Sequence, residues 1–357
     1  MVQFKNIETK NHKKVVYCSD SDTGLKAFIA VHNTVLGPSL GGCRMWSYQS
    51  EEEALVDVLR LSKGMTYKAA IAGLKLGGGK SVIIGSSKED KSKALFKSFG
   101  KFVDMLSGEY ITAEDVGTTE DDMEIVRTET KYVTGVSKEN GGSGDPSPVT
   151  AYGTYIGIKA SVKYKFNISS LSGLKIMVQG IGSVGEHLVH HLCNDGADVY
   201  VNDIDIEKLN YVSRKYSVKI IKPENLYGFD ADVYAPCALG ATINDTTIDQ
   251  LKCPIIAGAA NNVLLDSKKH GNQLMKKNIL FAPDYVINAG GLINVANEIE
   301  GYNEDKVKNK TESIYDTLLN IYKISNDSGI STSEASSRLA EKIIAEKHEN
   351  QLLEIEL

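Results

Sequence analysis

The segment at residues 180–185, which reads GIGSVG, constrains the fold more than any other part of the chain. It directly follows an apolar run at 175–179 that predicts a buried strand, and it precedes a helical pattern over 186–194. A further apolar run at 197–202 predicts a second strand, which completes a βαβ unit. In such a turn the glycines allow a tight bend, close approach of a diphosphate and packing of helix on strand. The predicted dinucleotide-binding loop consists of Gly180, Ile181, Gly182, Ser183, Val184 and Gly185.

The nature of the nucleotide is indicated by Asp203, which ends the second predicted strand. An acid about 20 residues beyond the glycine loop accepts hydrogen bonds from the adenosine ribose and repels the additional phosphate of NADP. We therefore expect NAD as the cofactor. Asp205 has the same strand parity and is the alternative acid. A tight strand-to-helix turn without a ligand is the alternative explanation of the glycines, and both flanks together with the acid argue against it.

Size and charge indicate a two-domain globular protein with small-molecule partners. The 357 residues exceed the ~250–300 at which a single core stops growing. A net charge of -6 argues against nucleic-acid or anionic-membrane partners. The five cysteines are scattered without a CxxC pair, so neither a disulfide framework nor a metal site is expected. The charged start of the chain does not resemble a signal peptide, and we expect a cytoplasmic protein.

The main domain boundary is predicted within the segment KENGGSGDPSP at 138–148, which is rich in glycine, serine and proline. Residues 1–145 then form an α/β substrate-binding, catalytic and oligomerisation domain, and residues 146–330 form a doubly wound, Rossmann-type NAD-binding domain. Residues 331–357 are expected to form a C-terminal helix capped by Ser331, with a return of this helix to the first domain as one alternative.

Two lysines of the first domain are candidates for chemistry. Apolar runs at 69–76 and 81–84 predict strands joined across Gly77–Gly79, so that Lys68 and Lys80 flank one strand and its turn. Two lysines in one cleft disfavour each other's charge, which would leave one ammonium as an anchor and one neutral amine as a base. Exposed lysines at a strand edge are the alternative, and spacing alone favours that alternative.

Asp115 follows the apolar pair Tyr110–Ile111 and is the candidate acid of this region. It is either a buried carboxylate or the N-cap of a following helix. Periodicity does not decide between the two.

Beyond these patterns, the chain resembles the family of glutamate, leucine, phenylalanine and valine dehydrogenases over nearly its whole length. The similarity is carried in order by LGPSLGGCRMW (36–46), LSKGMTYKAAIAGLKLGGGKSVIIG (61–85), ITAEDVGTT (111–119), PSPVTAYG (146–153), APCALGA (235–241), AANN (259–262) and APDYVINAGGLINVA (282–296). The resemblance implies NAD-dependent oxidative deamination of an L-amino acid to a 2-oxo acid, by a homo-oligomer and in the family's usual form an octamer.

The resemblance also implies roles for individual residues. It favours functional roles for Lys68 and Lys80 over the alternative that they are exposed lysines at a strand edge. Lys80 would be the base that activates water, and Asp115 its proton-relay partner. The carboxylate of the substrate would be held by Lys68, Gly41, Gly42 and Met65. The side-chain pocket would be walled by Leu40, Ala113, Leu292 and Val295, with Asn262 also at the substrate. Thr150, Ala238, Asn261 and Asn288 would join the glycine loop and Asp203 at the cofactor.

Apolar pocket walls disfavour an acidic substrate such as glutamate, so a branched-chain amino acid, leucine in particular, is expected. Gly79 and Leu292 are similar to phenylalanine-specific members, whereas the methyl group of Ala113 shrinks the pocket and favours leucine. Ser86–Ser87 and the last glycine of GIGSVG also depart from the usual leucine-specific pattern. A phenylalanine or valine dehydrogenase is the alternative within the family, and a non-catalytic NAD-binding sensor is the alternative outside it.

Overall fold

The chain forms two compact units in the computed structural model, which describes residues 1–238 and 240–356. The first unit comprises residues 1–145, 292–304 and the chain from 340 onward. The second comprises residues 146–291 and 305–339. No helix of the described residues is long and apolar enough to cross a membrane.

This division differs from the predicted boundaries after residue 291. Residues 292–304 belong to the first unit, because Leu292 and Val295 are buried there against Leu40 and Ile111. No change of composition marks this return, so the sequence gives no signal for it. The predicted C-terminal helix begins in the second unit and continues into the first, and its last predicted residue, Leu357, lies outside the described residues.

A six-stranded mixed sheet forms the centre of the first unit, in the order β1-β2-β3-β5-β4-β6. Its strands are β1 (Val2–Asn6), β2 (Lys14–Asp20), β3 (Leu25–Asn33), β4 (Ser39–Trp46), β5 (Gly77–Ile84) and β6 (Tyr110–Glu114). The pairs β1–β2, β2–β3 and β3–β5 are antiparallel, whereas β4 runs parallel to both β5 and β6.

Successive side chains of a strand point to opposite sides of the sheet, and here both sides carry buried apolar side chains. Helices cover both faces. Val82 of β5 packs with Ala54 and Val58 of α1 (Glu51–Ile71). Its neighbour Ile83 packs on the other face, where α2 (Lys93–Asp104) and α3 (Glu120–Arg127) lie. Residues of even number on β5 therefore face α1.

The expectation of a strand at 69–76 is wrong, because α1 continues to Ile71. A short apolar run does not distinguish a strand from a buried helix end, and its alanines are strong helix formers. Gly73, with a φ of 61°, lies just beyond the end of the helix. The glycines at 77–79 are the first residues of β5 and do not form a turn.

A six-stranded parallel sheet forms the second unit, in the order β12-β11-β10-β7-β8-β9. Its strands are β7 (Lys175–Gln179), β8 (Asp198–Asn202), β9 (Lys219–Ile220), β10 (Val233–Pro236), β11 (Ile255–Ile256) and β12 (Leu280–Phe281). The remaining helices are α4 (Ser147–Phe166), α5 (Ser183–Asn194), α6 (Ile206–Tyr216), α7 (Ser267–Lys276), α8 (Asp284–Ile287), α9 (Gly290–Ala296), α10 (Glu304–Glu312), α11 (Ile314–Ser328) and α12 (Thr332–Glu356).

The predicted βαβ unit is confirmed as β7, α5 and β8, and the two-domain α/β class with a Rossmann-type parallel sheet is confirmed with it. Residues 279–287 form an apolar run, interrupted only by Pro283 and Asp284, that would also suit one buried strand. It divides into β12 and α8, because Pro283 has no N–H to donate to the sheet and is well placed at a helix start.

Candidate active site

Strand alternation collects most of the candidate residues of the first unit on the face that α1 covers. Lys80 lies on that face two residues before Val82. Arg44 is opposite Val82 in the β4–β5 register, and Gly42 is opposite Ala113 in the β4–β6 register. Side chains at facing positions point to the same side, so three strands present their functional groups together.

The buried amine of Lys80 and the carboxylate of Asp115 form an ion pair, with Nζ 2.9 Å from Oδ2. Lys80 is only 4% exposed. Burial raises the pKa of the Asp115 carboxyl, but the Lys80 and Arg44 charges outweigh burial and hold that pKa below its usual value. The alternative reading of Asp115 as an N-cap fails, because Thr119 caps α3.

Sequence reasoning missed Arg44, whose Nε lies 3.1 Å from the same Asp115 Oδ2. Its Nη1 lies 3.0 Å from Oδ2 of Asp57, on α1. Arg44 stands within the segment 36–46 that carries the family resemblance, two residues after the glycines that drew attention. An arginine on a strand gives no periodic signal of its own.

Close backbone approach explains the glycines of this face. A Cβ on Gly41 would lie 1.7 Å from the carbonyl oxygen of Gly79, and one on Gly42 would lie 2.8 Å from Cβ of Asp115. A Cβ on Gly78 would lie 2.0 Å from the backbone nitrogen of Thr66 on α1. Only glycine fits at these positions, so α1, β4 and β5 can approach closely beside Lys80.

Three of the four predicted pocket walls share one apolar cluster. Leu40, Leu292 and Val295 are buried together, and Met65 of α1 packs against them. Ala113 is buried on β6 but stands apart from that cluster, near Gly135. Lys68 lies half-buried in the last turn of α1, one turn beyond Met65.

The glycine loop of the second unit has the geometry of a phosphate cradle. Gly180 has a φ of 90°, and a Cβ there would lie 2.8 Å from Ala238. A Cβ on Gly185 would lie 2.0 Å from the carbonyl oxygen of Gly180, whereas nothing stands within 4 Å of that position at Gly182. Gly182 begins α5 without a side-chain cap. The first amides of α5 therefore have no side-chain cap, and the open space beside Gly182 is suited to an anion.

Asp203, at the end of β8, contacts this loop directly. Its Oδ2 accepts a hydrogen bond from the Ile181 N–H at 2.7 Å, and its Oδ1 accepts one from the Asp205 N–H at 2.9 Å. Asp205 is instead the N-cap of α6 and accepts from the Lys208 N–H. Sequence reasoning missed Ile204, which is 99% exposed between the two acids. An exposed apolar side chain beside the predicted ribose acid is suited to pack against a base.

The remaining cofactor candidates also lie in the second unit. Asn288 is buried and donates from Nδ2 to Oδ1 of Asn261 at 2.7 Å and to the carbonyl of Ala259 at 3.0 Å. Thr150, in the first turn of α4, donates to the carbonyl of Pro146. Asn262 belongs to the second unit too, whereas every other predicted substrate residue belongs to the first.

Fold and site together define a class of two-domain α/β enzymes, with a Rossmann-type nucleotide-binding unit and a lysine–carboxylate pair in the other unit. Comparison with family models is more specific. Residues 12–132 match the dimerisation domain of the Glu/Leu/Phe/Val dehydrogenases, and residues 201–351 match the glutamate/leucine/phenylalanine/valine dehydrogenase model.

Individual relatives agree with the family models. The chain is 52% identical to a leucine dehydrogenase of Bacillus cereus, over 96% of this chain and 93% of the relative. It is 48% identical to a phenylalanine dehydrogenase of Bacillus thermotolerans, over 93% and 88%. The crystal structure of L-tryptophan dehydrogenase from Nostoc punctiforme superposes with a TM-score of 0.84 at 44% identity, covering 94% of this chain and 97% of that chain. The chain belongs to the Glu/Leu/Phe/Val dehydrogenase family and is an amino acid dehydrogenase.

Proposed function

We propose that this enzyme oxidatively deaminates L-leucine and other branched-chain L-amino acids with NAD, reversibly, to 2-oxo acids and ammonia. The observation that carries the proposal is the buried Lys80–Asp115 pair on a sheet face that also holds an apolar cluster. A base, a proton-relay partner and an apolar pocket are the parts that this chemistry requires. The leucine dehydrogenases among the relatives support the choice of substrate.

Each residue of the first unit has a role in the proposed mechanism. Lys68 and the backbone at Gly41 and Gly42 hold the substrate carboxylate beside Met65. Bound NAD supplies the acceptor for the hydride that leaves Cα of the amino acid. The Lys80 amine takes a proton from water, whose oxygen attacks the imine carbon. Asp115 lies 2.9 Å from Lys80 and passes protons as the carbinolamine releases ammonia.

NAD is proposed over NADP because of Asp203. Its carboxylate lies within hydrogen-bond distance of the loop amide of Ile181, where the ribose of a bound nucleotide would be. A second negative charge there would be repelled by Asp203. The open position at Gly182 and the uncapped start of α5 fit the diphosphate, and Thr150, Ala238, Asn261 and Asn288 complete the proposed site.

Leucine is proposed over glutamate because the cluster that contains Leu40, Leu292 and Val295 is apolar. It offers no positive charge to pair with the side-chain carboxylate of glutamate. Phenylalanine is the second candidate, since a phenylalanine dehydrogenase is 48% identical to this chain. The methyl group of Ala113 favours the smaller substrate, although one methyl group discriminates by only ~1–3 kcal/mol.

The proposal also assigns a ligand to each unit and an oligomeric state to the enzyme. The first unit would bind the amino acid and carry the subunit contacts, in keeping with a match to a dimerisation-domain model, and the second would bind NAD. We propose a homo-oligomer, an octamer in the family's usual form, and light scattering after size exclusion tests it. The five free cysteines are typical of a reducing, cytoplasmic location.

The test is the rate of NADH formation with leucine, valine, isoleucine, phenylalanine and glutamate, each with NAD and with NADP. We expect the highest kcat/KM with leucine and NAD. A preference for phenylalanine would change the substrate within the family, and a preference for NADP would overturn the role of Asp203. No turnover with any pair would favour a non-catalytic NAD-binding protein.

A further inference from the structure

Two cations share one oxygen of Asp115. Lys80 Nζ and Arg44 Nε lie 2.9 and 3.1 Å from the same atom, Oδ2. Arg44 comes from β4 and Lys80 from β5, so the carboxylate bridges adjacent strands. An oxygen that accepts from a permanently charged guanidinium stabilises a second cation less than it would alone.

Arg44 is itself held on its far side by α1. Oδ2 of Asp57 accepts from Arg44 Nη1 at 3.0 Å and from the Tyr48 hydroxyl at 2.7 Å, and Oδ1 accepts from Arg60 at 3.0 Å. Burial disfavours the charge of Arg44, but Asp115 and Asp57 outweigh burial and raise the pKa of the guanidinium. Arg44 is therefore a fixed charge, anchored at both ends.

We propose that Arg44 is a positioning residue for the reaction: it fixes the Asp115 carboxylate and, by sharing Oδ2, weakens the hold of that carboxylate on the Lys80 proton. The proposal rests on the function proposed above. Arg44 acts on Lys80 through Asp115.

The charges around the pair determine the sign of the effect. On the α1 side they are Arg44, Asp57, Arg60 and the Tyr48 hydroxyl. Glu114 precedes Asp115, and the groups that reach the pair electrostatically from the opposite side of the sheet are Cys43 and Tyr110. Burial holds the thiol of Cys43 and the phenol of Tyr110 in their neutral forms, because it raises the pKa of each. Lys68, on α1, adds a further positive charge to this face. Lys68 and Glu114 are the same in every variant below, so differences between the variants report on Arg44 and Asp57.

The decisive variants change these two charges in opposite directions. Arg44→Met removes the competing cation, so Lys80 should hold its proton more strongly and the acid limb of the kcat/KM profile should move to higher pH. Asp57→Asn leaves Asp115 as the only carboxylate that neutralises Arg44. Asp115 then holds the Lys80 proton less strongly, so the acid limb of the kcat/KM profile should move to lower pH. We expect about one pH unit for Arg44→Met, equivalent to about a tenfold loss at a fixed pH on that limb, and a smaller shift for Asp57→Asn.

Arg44→Lys keeps the positive charge but lacks the planar, forked guanidinium. The pH profile of this variant should therefore lie close to that of the parent enzyme. Arg338→Met is the matched control, because Arg338 is exposed and pairs only with Glu334 one turn away on α12 in the described structure. It should leave the profile unchanged. A loss of activity in Arg44→Met that is equal at all pH values, without displacement of the limb, would overturn the proposal.

A second readout does not depend on turnover. A neutral lysine amine is acetylated by acetic anhydride, whereas an ammonium is not. The slow acetylation expected of the buried Lys80 is followed against pH by mass spectrometry of its peptide. The reaction midpoint should rise in Arg44→Met and fall in Asp57→Asn. Unmoved midpoints would overturn the role of Arg44 even in an enzyme active on leucine. Moved midpoints in an enzyme that oxidises no amino acid would refute the proposed function alone.

Discussion

The Glu298 carboxylate accepts hydrogen bonds from the backbone N–H groups of Gly135 at 3.0 Å and of Ser143 at 2.9 Å. The Ser143 hydroxyl donates to the same carboxylate. Glu298 follows α9, the helix that carries Leu292 and Val295, and Ser143 stands just before the boundary at residue 145. The Glu298 side chain thus joins residues 292–304 to the end of residues 1–145, and both segments belong to the first unit.

Replacement of Glu298 should therefore affect both stability and substrate binding. Glu298→Ala leaves two backbone N–H groups without their partner, and we expect a loss of about 1–3 kcal/mol in the free energy of unfolding, measured with denaturant. KM for leucine should rise, because α9 loses its anchor. Glu300→Ala, at an exposed position of the same turn, is the control. Equal stability of the two variants would contradict the anchoring role.

Lys80 and Asp115 should both be needed for turnover. Lys80→Ala removes the proposed base, and kcat should fall by about 10²–10⁴-fold. Asp115→Asn keeps the shape but removes the charge between two cations, so kcat should also fall. Folding is checked by the thermal midpoint. Near-normal turnover of Lys80→Ala in a folded protein would end the proposed mechanism.

Asp203 should control the choice of cofactor. Asp203→Asn removes the charge proposed to repel a ribose phosphate, so the ratio of kcat/KM for NAD to that for NADP should fall about tenfold or more. Asp205→Asn is a matched control, because asparagine is also a good N-cap for α6. If only the Asp205 variant changes the ratio, Asp205 is the ribose acid.

A histidine of the first unit should make stability depend on pH. Burial lowers the pKa of His32 from 6.5 to about 4, and the charges of His12 and Lys63 act in the same direction. The unfolded chain takes up this proton near its ordinary pKa and the folded chain only near the lowered one. The free energy of unfolding should therefore fall as the pH decreases across that interval.

His32→Gln should reduce this dependence, measured as the difference between denaturant midpoints at about pH 7 and about pH 5. His348→Gln, at an exposed position of α12, should leave it unchanged. An unaltered difference in the His32 variant would show that His32 does not titrate as described.

The βαβ unit that is proposed to bind the nucleotide could be predicted from local sequence patterns, because its strand, glycine turn and helix are adjacent in the chain. They were insufficient for residues 69–71, where an alanine-rich run suits a helix as well as a strand. The pairing of Lys80 with Asp115 came from resemblance alone, because the two strands that present them are adjacent to β4 and not to each other.

Arg44 and Glu298 were missed for a related reason. Each acts through partners distant in sequence: Arg44 contacts Asp57 and Asp115, and Glu298 contacts Gly135 and Ser143. A single charged residue on a strand or after a helix gives no pattern that specifies such partners. The register of three strands and the return of 292–304 to the first unit create these contacts.

The glycines that begin β5 limit how this enzyme can be evolved in the laboratory. Cβ atoms at Gly77, Gly78 and Gly79 would lie 1.9, 2.0 and 2.7 Å from Asn33, Thr66 and Tyr110. Libraries that randomise residues 77–79 should return almost only the parent sequence among folded clones. Diversity intended to admit larger amino acids is better placed at the proposed pocket walls Leu40, Ala113, Leu292 and Val295, where a smaller side chain adds no atom against the backbone.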